Sequence, residues 1–157
     1  MATWSDFETA APELAARVKG RFDAHKHKTM ATLRKDGSPR ISGTETTFRD
    51  GELFIGSMWQ ALKAKDLQRD GRFAIHSATF DPDKDWPGEA KLAGRAHEIV
   101  DEAQVKDLNG EAAANGPSHL FRLDLTEVST VGLDDDKTHL IIDVWTPETG
   151  VRTITRD

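Results

Sequence analysis

The sequence of 157 residues contains no cysteine and no tyrosine. The absence of cysteine excludes disulfides, thiolate nucleophiles, cysteine-ligated zinc and iron–sulfur clusters. It also fits a reducing compartment, and we therefore expect the protein to act in the cytoplasm. Because both residue types are missing, any chemistry must come from histidines, carboxylates, basic residues, hydroxyl groups or a bound cofactor.

Long hydrophobic runs and an excess of positive charge are missing as well. No stretch approaches the roughly 18 uninterrupted apolar residues of a membrane span, and residues 1–19 lack the apolar core of a signal peptide. Lys and Arg number 21 against 27 Asp and Glu, which gives a net charge of −6. This balance disfavours a duplex nucleic-acid binder, whose affinity comes mainly from neutralising phosphates. We expect neither a membrane nor a nucleic acid as a partner.

Several motifs of catalysis and metal binding are also absent. The chain has no Gly-rich dinucleotide fingerprint and no Gly-x-Ser-x-Gly nucleophile elbow. His25 and His27 form a His-x-His pair, but the neighbouring Lys26 and Lys28 would repel a divalent ion. The other histidines lack the short paired spacing of zinc motifs. We predict no metal site, and no residue stands out as a catalytic acid or base.

The hydrophobic residues that are present, 37% of the chain, suffice for the core of one domain, which we expect to span residues 1–157. Near the start, Leu14, Val18 and Phe22 recur every four residues. This period is that of an amphipathic helix with one apolar face. We therefore predict a helix over about 10–25 that packs on a sheet.

The rest of the chain, about 29–155, has the turns and β-branched segments of a β-rich fold. We predict short helices over 61–67 and 101–108 and loops over 79–88 and 109–117, and Gly94 indicates a bulge or a close approach of the backbone. The main predicted strands cover 29–34, 39–48, 52–56, 72–77, 91–100, 119–125, 128–133 and 138–145, with an edge at 151–154. This excess of strands over two or three helices favours a closed or half-closed antiparallel barrel over a doubly wound α/β sheet.

The strongest local signal lies where the third predicted strand meets the following helix. Ser57 and Gln60 have the spacing of a capping box, Gly56 allows close approach to the backbone, and Lys63 and Lys65 follow within the helix. A helix N-terminus presents unpaired amides and a positive dipole end, so a phosphate can bind there. The same pattern also fits an ordinary capped surface helix with solvated lysines, and spacing alone leaves both open.

The order and spacing of several short segments carry a further signal. The segments are Met30–Leu33, Asp36–Ser42, Asp50–Ile55, Lys63–Leu67, Asp70–Ala74 and Leu92–Ala96. Together they resemble the pyridoxamine 5'-phosphate oxidase-like family of FMN-binding split-barrel proteins, which includes enzymes that use the deazaflavin coenzyme F-420. The resemblance covers roughly residues 10–146. It implies a mainly β fold, a split antiparallel β-barrel with peripheral helices, which dimerises and holds two cofactors in grooves between the subunits.

The resemblance also implies which residues hold the cofactor. The family's basic phosphate-binding position falls on Lys63, so the anion site suggested by Ser57, Gln60 and Lys63 coincides with the family's phosphate site. The neighbouring position is basic in many members but is Leu62 here, so we expect the phosphate to be bound more weakly or with the help of other residues. Two strand segments approach the cofactor in the family, and in this chain they contribute Arg40, Ile41, Ser42, Ile55, Gly56 and Ser57.

The resemblance implies FMN as the cofactor, with F-420 as the alternative, because both carry a phosphate on a ribityl chain. F-420 adds an acidic oligoglutamate tail, for which Arg40, Lys65 or Arg69 would provide a basic groove. The leading prediction is a cytoplasmic homodimeric oxidoreductase that transfers a hydride between FMN or F-420 and a small organic substrate.

Two other functions stay open at this point. One is a non-catalytic split-barrel protein that binds a flavin or heme. The other is a structural dimer that has lost its cofactor, which is compatible with Leu62 in place of a basic residue. Vitamin B6 synthesis is not predicted, because residues 145–157 lack the Arg-x-His-type motif with which true pyridoxamine 5'-phosphate oxidases grip pyridoxal phosphate.

Overall fold

The computed structural model describes residues 1–81, 85–110 and 116–157, which form one antiparallel sheet of nine strands and four helices. The strands are β1 (Lys28–Leu33), β2 (Pro39–Thr44), β3 (Thr47–Arg49), β4 (Glu52–Met58), β5 (Arg72–His76), β6 (Glu89–Ile99), β7 (Ser118–Leu133), β8 (Leu140–Thr146) and β9 (Gly150–Arg156). The helices are α1 (Trp4–Ala10), α2 (Pro12–Asp23), α3 (Leu62–Arg69) and α4 (Glu102–Asn109). None of these helices is long and apolar enough to cross a membrane. The predicted loops over 79–88 and 109–117 fall partly on residues 82–84 and 111–115, outside the described residues.

The sheet follows the order β2-β1-β5-β6-β7-β4-β3, and β8 and β9 extend it from β7. One side of β7 pairs with β6 along its length, whereas the other side pairs first with β4 and then with β8. The sheet therefore divides at β7 into two lobes, and β2 comes back to within 8 Å of β4 between Cα atoms. The predicted mainly β, antiparallel fold class is confirmed.

A bulge bends the pairing between β6 and β7. Ala93 pairs with Glu127 while Gly94 pairs with Leu125, so β7 carries one extra residue at this point. A Cβ atom on Gly94 would lie 1.8 Å from the backbone oxygen of Asp124, which confirms the predicted close approach. The prediction of two strands, over 119–125 and 128–133, is wrong because the bulge bends β7 without ending it.

One other predicted strand boundary is also wrong, and a separate helix precedes the one that was predicted. The strand predicted over 39–48 divides into β2 and β3, because its first part pairs with β1 and its second part with β4. The helix predicted over 10–25 is preceded by a separate helix, α1, which Thr3 and Asp6 cap. Proline lacks an N–H and fits best in a first turn, so Pro12 begins α2 instead of continuing α1.

The core lies between the sheet and the two N-terminal helices. Leu14, Val18 and Phe22 are buried on the inner face of α2, as the four-residue period predicted. The ring of Phe7 on α1 packs against Trp145 of β8 at 4.7 Å between centroids. The short helix α3 adds Ala64 and Leu67 to the same core and packs against β1, β4 and β6.

Candidate functional site

The buried carboxylate of Asp66 connects α3 to the first hairpin, which is formed by β1 and β2. One oxygen of Asp66, Oδ2, accepts hydrogen bonds from Thr32 Oγ1 at 2.9 Å and from Arg40 Nε at 2.6 Å. The other, Oδ1, accepts one from Arg69 Nη2 at 3.0 Å. Burial by itself raises the pKa of Asp66, but the hydrogen bonds from Arg40, Arg69 and Thr32 outweigh it and lower the pKa below its ordinary value. Asp66 is therefore ionised at neutral pH and orients both arginines.

Those arginines form part of a basic groove of about 640 Å³ between the β1–β2 turn and α3. Five basic and two acidic side chains line this groove, a surplus of three positive charges in a protein of net charge −6. The lining residues are Arg34, Lys35, Asp36, Arg40, Leu62, Lys65, Asp66 and Arg69. The structure thus brings together Arg40, Lys65 and Arg69, the three residues suggested from the sequence for a basic groove.

Both acidic residues of the groove are already engaged by the protein. Asp66 is bound as described, and Asp36 Oδ1 accepts hydrogen bonds from the backbone N–H and the hydroxyl of Ser38 at 3.0 and 2.6 Å. Within the described ranges, Arg34, Lys35 and Lys65 form no ion pair. The groove therefore has positive charge available for an anionic ligand.

Lys63 points away from this groove and toward β2. Its Nζ donates a hydrogen bond to the backbone oxygen of Gly43 at 2.9 Å, and the side chain is half-buried. Burial lowers the pKa of Lys63, and the negative charge of Glu45 partly offsets this effect. An ammonium group has three N–H donors, so two remain beyond the bond to Gly43.

Two hydroxyl groups, one on β2 and one on β4, are buried without a hydrogen-bond partner in the described part of the chain. They are Oγ of Ser42, the residue before Gly43, and Oγ of Ser57, near the end of β4. Buried polar atoms without partners are rare in proteins, and water, an ion or a ligand often satisfies them. The free donors of Lys63 and these two hydroxyl groups therefore have the chemistry that suits the phosphate group implied by the family resemblance.

The predicted capping box of Ser57 and Gln60 is wrong. Pairing with β7 extends β4 to Met58, so Ser57 lies in a strand, and Gln60 lies in the following turn with a φ of 59°. Helix α3 starts later, and its N-cap residue, Ala61, makes no side-chain capping bond. The first-turn amides of α3 thus have no side-chain cap, and such amides are open to water or an anion.

The remaining residues suggested from the sequence are placed differently. Ile41 is 67% exposed and, because side chains alternate along β2, lies on the face opposite Arg40 and Ser42. The side chain of Ile55 is in the core, with 1% of its surface exposed. At Gly56 an added Cβ atom would lie 2.6 Å from Asn109 Oδ1, so the close approach there is made by the end of α4.

Sequence reasoning missed Arg34, Lys35 and Asp66. Nothing in the local pattern brings the β1–β2 turn against α3, since this contact depends on the long-range pairing of the sheet. A weak signal existed for Asp66, which lies between the buried residues Ala64 and Leu67 in a helix with one apolar face.

An exposed apolar patch surrounds the start of α3. Its members from the β4–α3 segment are Met58, Trp59 and Leu62, which are 81%, 53% and 58% exposed. The exposed side chain of Ile41 on β2 is a further large apolar residue.

Within the described ranges, no group of three or more His, Asp and Glu residues is arranged to hold a metal ion.

Comparison with solved structures finds the same fold in several bacterial proteins. A pyridoxamine 5'-phosphate oxidase-related, FMN binding protein from Nostoc punctiforme aligns over 100% of this chain and 98% of its own, with 14% identity and a TM-score of 0.60. A heme binding protein from Mycobacterium smegmatis aligns over 85% of this chain and 58% of its own, with 24% identity and a TM-score of 0.62. The heme storage protein HutZ from Vibrio cholerae aligns over 73% and 89%, with 18% identity and a TM-score of 0.56.

No protein-family model and no curated protein matches the sequence. The identities to the solved structures are below 25%, so these similarities concern the fold. At this level the resemblance inferred from the sequence is confirmed. The chain has the split-barrel fold of the pyridoxamine 5'-phosphate oxidase-related FMN-binding and heme-binding proteins.

Proposed function

We propose that this chain binds a phosphate-bearing flavin, FMN or F-420, at the start of α3 and acts as an oxidoreductase on a small organic substrate. The observation that carries the proposal is the surroundings of Lys63. Its half-buried ammonium group donates to Gly43, the residue after Ser42, and the buried Ser42 hydroxyl has no partner among the described residues; Lys63 also belongs to a helix whose first turn has no side-chain cap. This combination suits a phosphate group, which accepts several hydrogen bonds and carries negative charge.

In this proposal Lys63 and the first-turn amides of α3 hold the phosphate, and the hydroxyls of Ser42 and Ser57 complete its hydrogen bonds. Gln60, Gly56 and Ile55 contribute through their backbone at the end of β4 and in the following turn, since the Ile55 side chain is in the core. The bound flavin would supply the hydride chemistry, and the protein would bind and orient it. No catalytic acid or base is assigned.

The charge of the basic groove supports F-420, the alternative cofactor to FMN. It contains Arg34, Lys35 and Lys65, three cations without ion pairs in the described ranges, besides the two arginines that Asp66 orients. FMN ends at its phosphate, whereas the tail of F-420 carries several carboxylates. A second group of cations close to the start of α3 therefore suits the longer, more anionic cofactor.

The proposed active form is a homodimer with the cofactor sites between the subunits. Exposed apolar residues at Met58, Trp59 and Leu62 support it, because large exposed apolar side chains that lie together are typical of interaction surfaces. Sedimentation tests this point. We expect a dimer, and replacement of Met58 by Glu should shift it toward the monomer. A monomer in the wild type would contradict the proposal.

Non-catalytic binding of a flavin or heme is the second candidate function. Two proteins with the same fold are named as a heme binding protein and a heme storage protein. Turnover separates the two functions. An oxidoreductase should oxidise its reduced cofactor over many cycles when a substrate and a reductant that restores the reduced cofactor are supplied, whereas a storage protein should only bind and release its ligand.

The experiment that tests the proposal is a titration of the purified protein with FMN, F-420 and hemin in parallel, followed by fluorescence and absorbance. Tight binding of FMN or F-420 supports the oxidoreductase proposal and directs the substrate screen. Tight binding of hemin alone supports the storage function. Binding of none of the three would contradict both functions and leave a structural dimer.

A further inference from the structure

His119 is a buried histidine at the base of the turn that leads into α3. It lies near the start of β7, and only 4% of its side chain is exposed. Its Nδ1 lies 2.6 Å from Glu98 Oε1, and its Nε2 lies 3.2 Å from the backbone nitrogen of Gln60. A backbone N–H only donates, so Nε2 accepts and Nδ1 carries the proton that is donated to Glu98. These two bonds assign both nitrogens of the imidazole.

The same imidazole also supports the residue before Gln60. The indole of Trp59 stacks on His119 with 4.7 Å between ring centroids and 10° between planes. Gln60 itself has a φ of 59°, a left-handed conformation that residues other than glycine adopt at a cost. His119 thus holds two consecutive residues of the turn, one by stacking and one by a hydrogen bond, and so stabilises an unfavourable backbone conformation.

Glu98 connects His119 to the helix as well. Gln68 on α3 donates through Nε2 to both oxygens of Glu98, at 3.1 and 2.9 Å. Glu98 therefore orients His119 and contacts α3 beyond its first turn, while His119 holds the turn that ends just before the helix. Across the pair of β4 and β7, His119 is also the direct partner of Ser57, one of the proposed phosphate ligands.

We infer that His119, oriented by Glu98, is a positioning residue that fixes the turn at residues 59–60 and thereby the direction of the first-turn amides of α3 and of Lys63. This inference rests on the proposed function, since it assigns His119 a part in building the cofactor site. Both ring nitrogens of His119 are used by Glu98 and Gln60, which leaves neither for the phosphate. Its effect on the cofactor passes through the backbone of the turn.

Two substitutions separate the two bonds of the imidazole. In His119→Asn the amide nitrogen can replace Nδ1 and still donate to Glu98, but no acceptor reaches Gln60. In His119→Gln the longer side chain can place an amide oxygen near the position of Nε2 and accept from Gln60. A matched control is His97→Asn, which replaces a histidine of β6 that is 44% exposed and pairs with Asp124 on β7.

Cofactor affinity and the fluorescence of Trp59 are the two readouts. The contribution of Trp59 is obtained by repeating each spectrum in a Trp59→Phe background, and circular dichroism with thermal unfolding reports on the fold. We expect His119→Asn to weaken binding of FMN or F-420 at least tenfold and to shift the Trp59 emission to longer wavelength. We expect His119→Gln and His97→Asn to stay within about threefold of the wild type.

Several outcomes would overturn the inference. Unchanged affinity in a folded His119→Asn protein would remove His119 from the positioning of the site, and equal losses in the Asn and Gln variants would indicate general structural support. If the wild type binds no flavin, the proposed function is contradicted. The Trp59 fluorescence then still tests whether His119 fixes the turn at residues 59–60. Trp59 emission that does not respond to His119→Asn would then overturn the inference by itself.

Discussion

Replacement of Asp66 by Asn tests whether its ion pairs with Arg40 and Arg69 hold α3 against the first hairpin. The substitution keeps the size of the side chain but removes the charge that holds Arg40 and Arg69. In the wild type Asp66 is 4% exposed and accepts three hydrogen bonds, two of them from guanidinium groups. Loss of this charge leaves two arginines without their carboxylate at the junction of α3 and the first hairpin.

The expected loss of stability follows from the burial of the three groups. Removal of one partner of a fully buried ion pair costs about 3–5 kcal/mol. Here Arg40 and Arg69 are 22% and 37% exposed, so water can partly replace the lost carboxylate. We therefore expect Asp66→Asn to lower the free energy of unfolding by about 2–3 kcal/mol at pH 7, equivalent to a Tm lower by roughly 4–12 °C for a chain of this size.

The loss should also depend on pH in a defined direction. Because the pKa of Asp66 is lowered in the folded state, its ionised form stabilises the fold above the unfolded pKa of about 3.9, and this contribution disappears as the pH falls through the lower, folded value. Asp70 and Asp134, whose pKa values are lowered to about 2, are present in both proteins. The difference between wild type and variant therefore isolates Asp66 and should shrink below pH 4.

Urea unfolding followed by tryptophan fluorescence at pH 7 and pH 3 measures both effects. The control is Asp107→Asn, which breaks an exposed ion pair with Arg49 and should cost at most about 1 kcal/mol. A variant as stable as the wild type at pH 7, or one equally destabilised at both pH values, would refute this account of Asp66.

Two further predictions concern the bulge and the groove. Gly94→Ala brings a Cβ atom to within 1.8 Å of the Asp124 backbone and should cost about 1–3 kcal/mol in urea unfolding, whereas Gly20→Ala in α2, with no atom within 4 Å, should stabilise the protein by about 0.5–1 kcal/mol. Equal effects would contradict the bulge geometry. Lys65→Gln should weaken binding of F-420 severalfold at low salt and leave FMN binding unchanged, as measured by fluorescence titration. Equal losses for both cofactors would argue against a tail in the groove.

Local patterns predicted the elements whose structure depends on near neighbours. The buried face of α2 at Leu14, Val18 and Phe22 follows from the four-residue period, and the close approach at Gly94 follows from a glycine in a strand. The boundaries that were wrong depend on distant pairing. The cap predicted at Ser57 does not form because β4 stays paired with β7 up to Met58.

The candidate site was predictable in part for the same reason. Lys63 and Arg40 follow from the family resemblance, but the contact of Arg34 and Lys35 with α3 depends on how the hairpin folds against the helix. The burial of His119 could have been predicted, since it shares one strand face with Phe121, Leu123 and Leu125 in an alternating pattern. Its two hydrogen bonds join β6, β7 and the turn before α3, and no local pattern carries that information.

The most direct test of the central claim is the affinity of Lys63→Ala for the cofactor. If Lys63 holds the phosphate, the variant should lose about 1.5–3 kcal/mol of binding free energy, or roughly 10- to 150-fold in Kd, with the fold intact by circular dichroism. Lys19→Ala, which removes an exposed lysine of α2 paired with Asp23, should bind as the wild type does. Equal affinities of Lys63→Ala and wild type for FMN and F-420 would contradict a phosphate site at the start of α3.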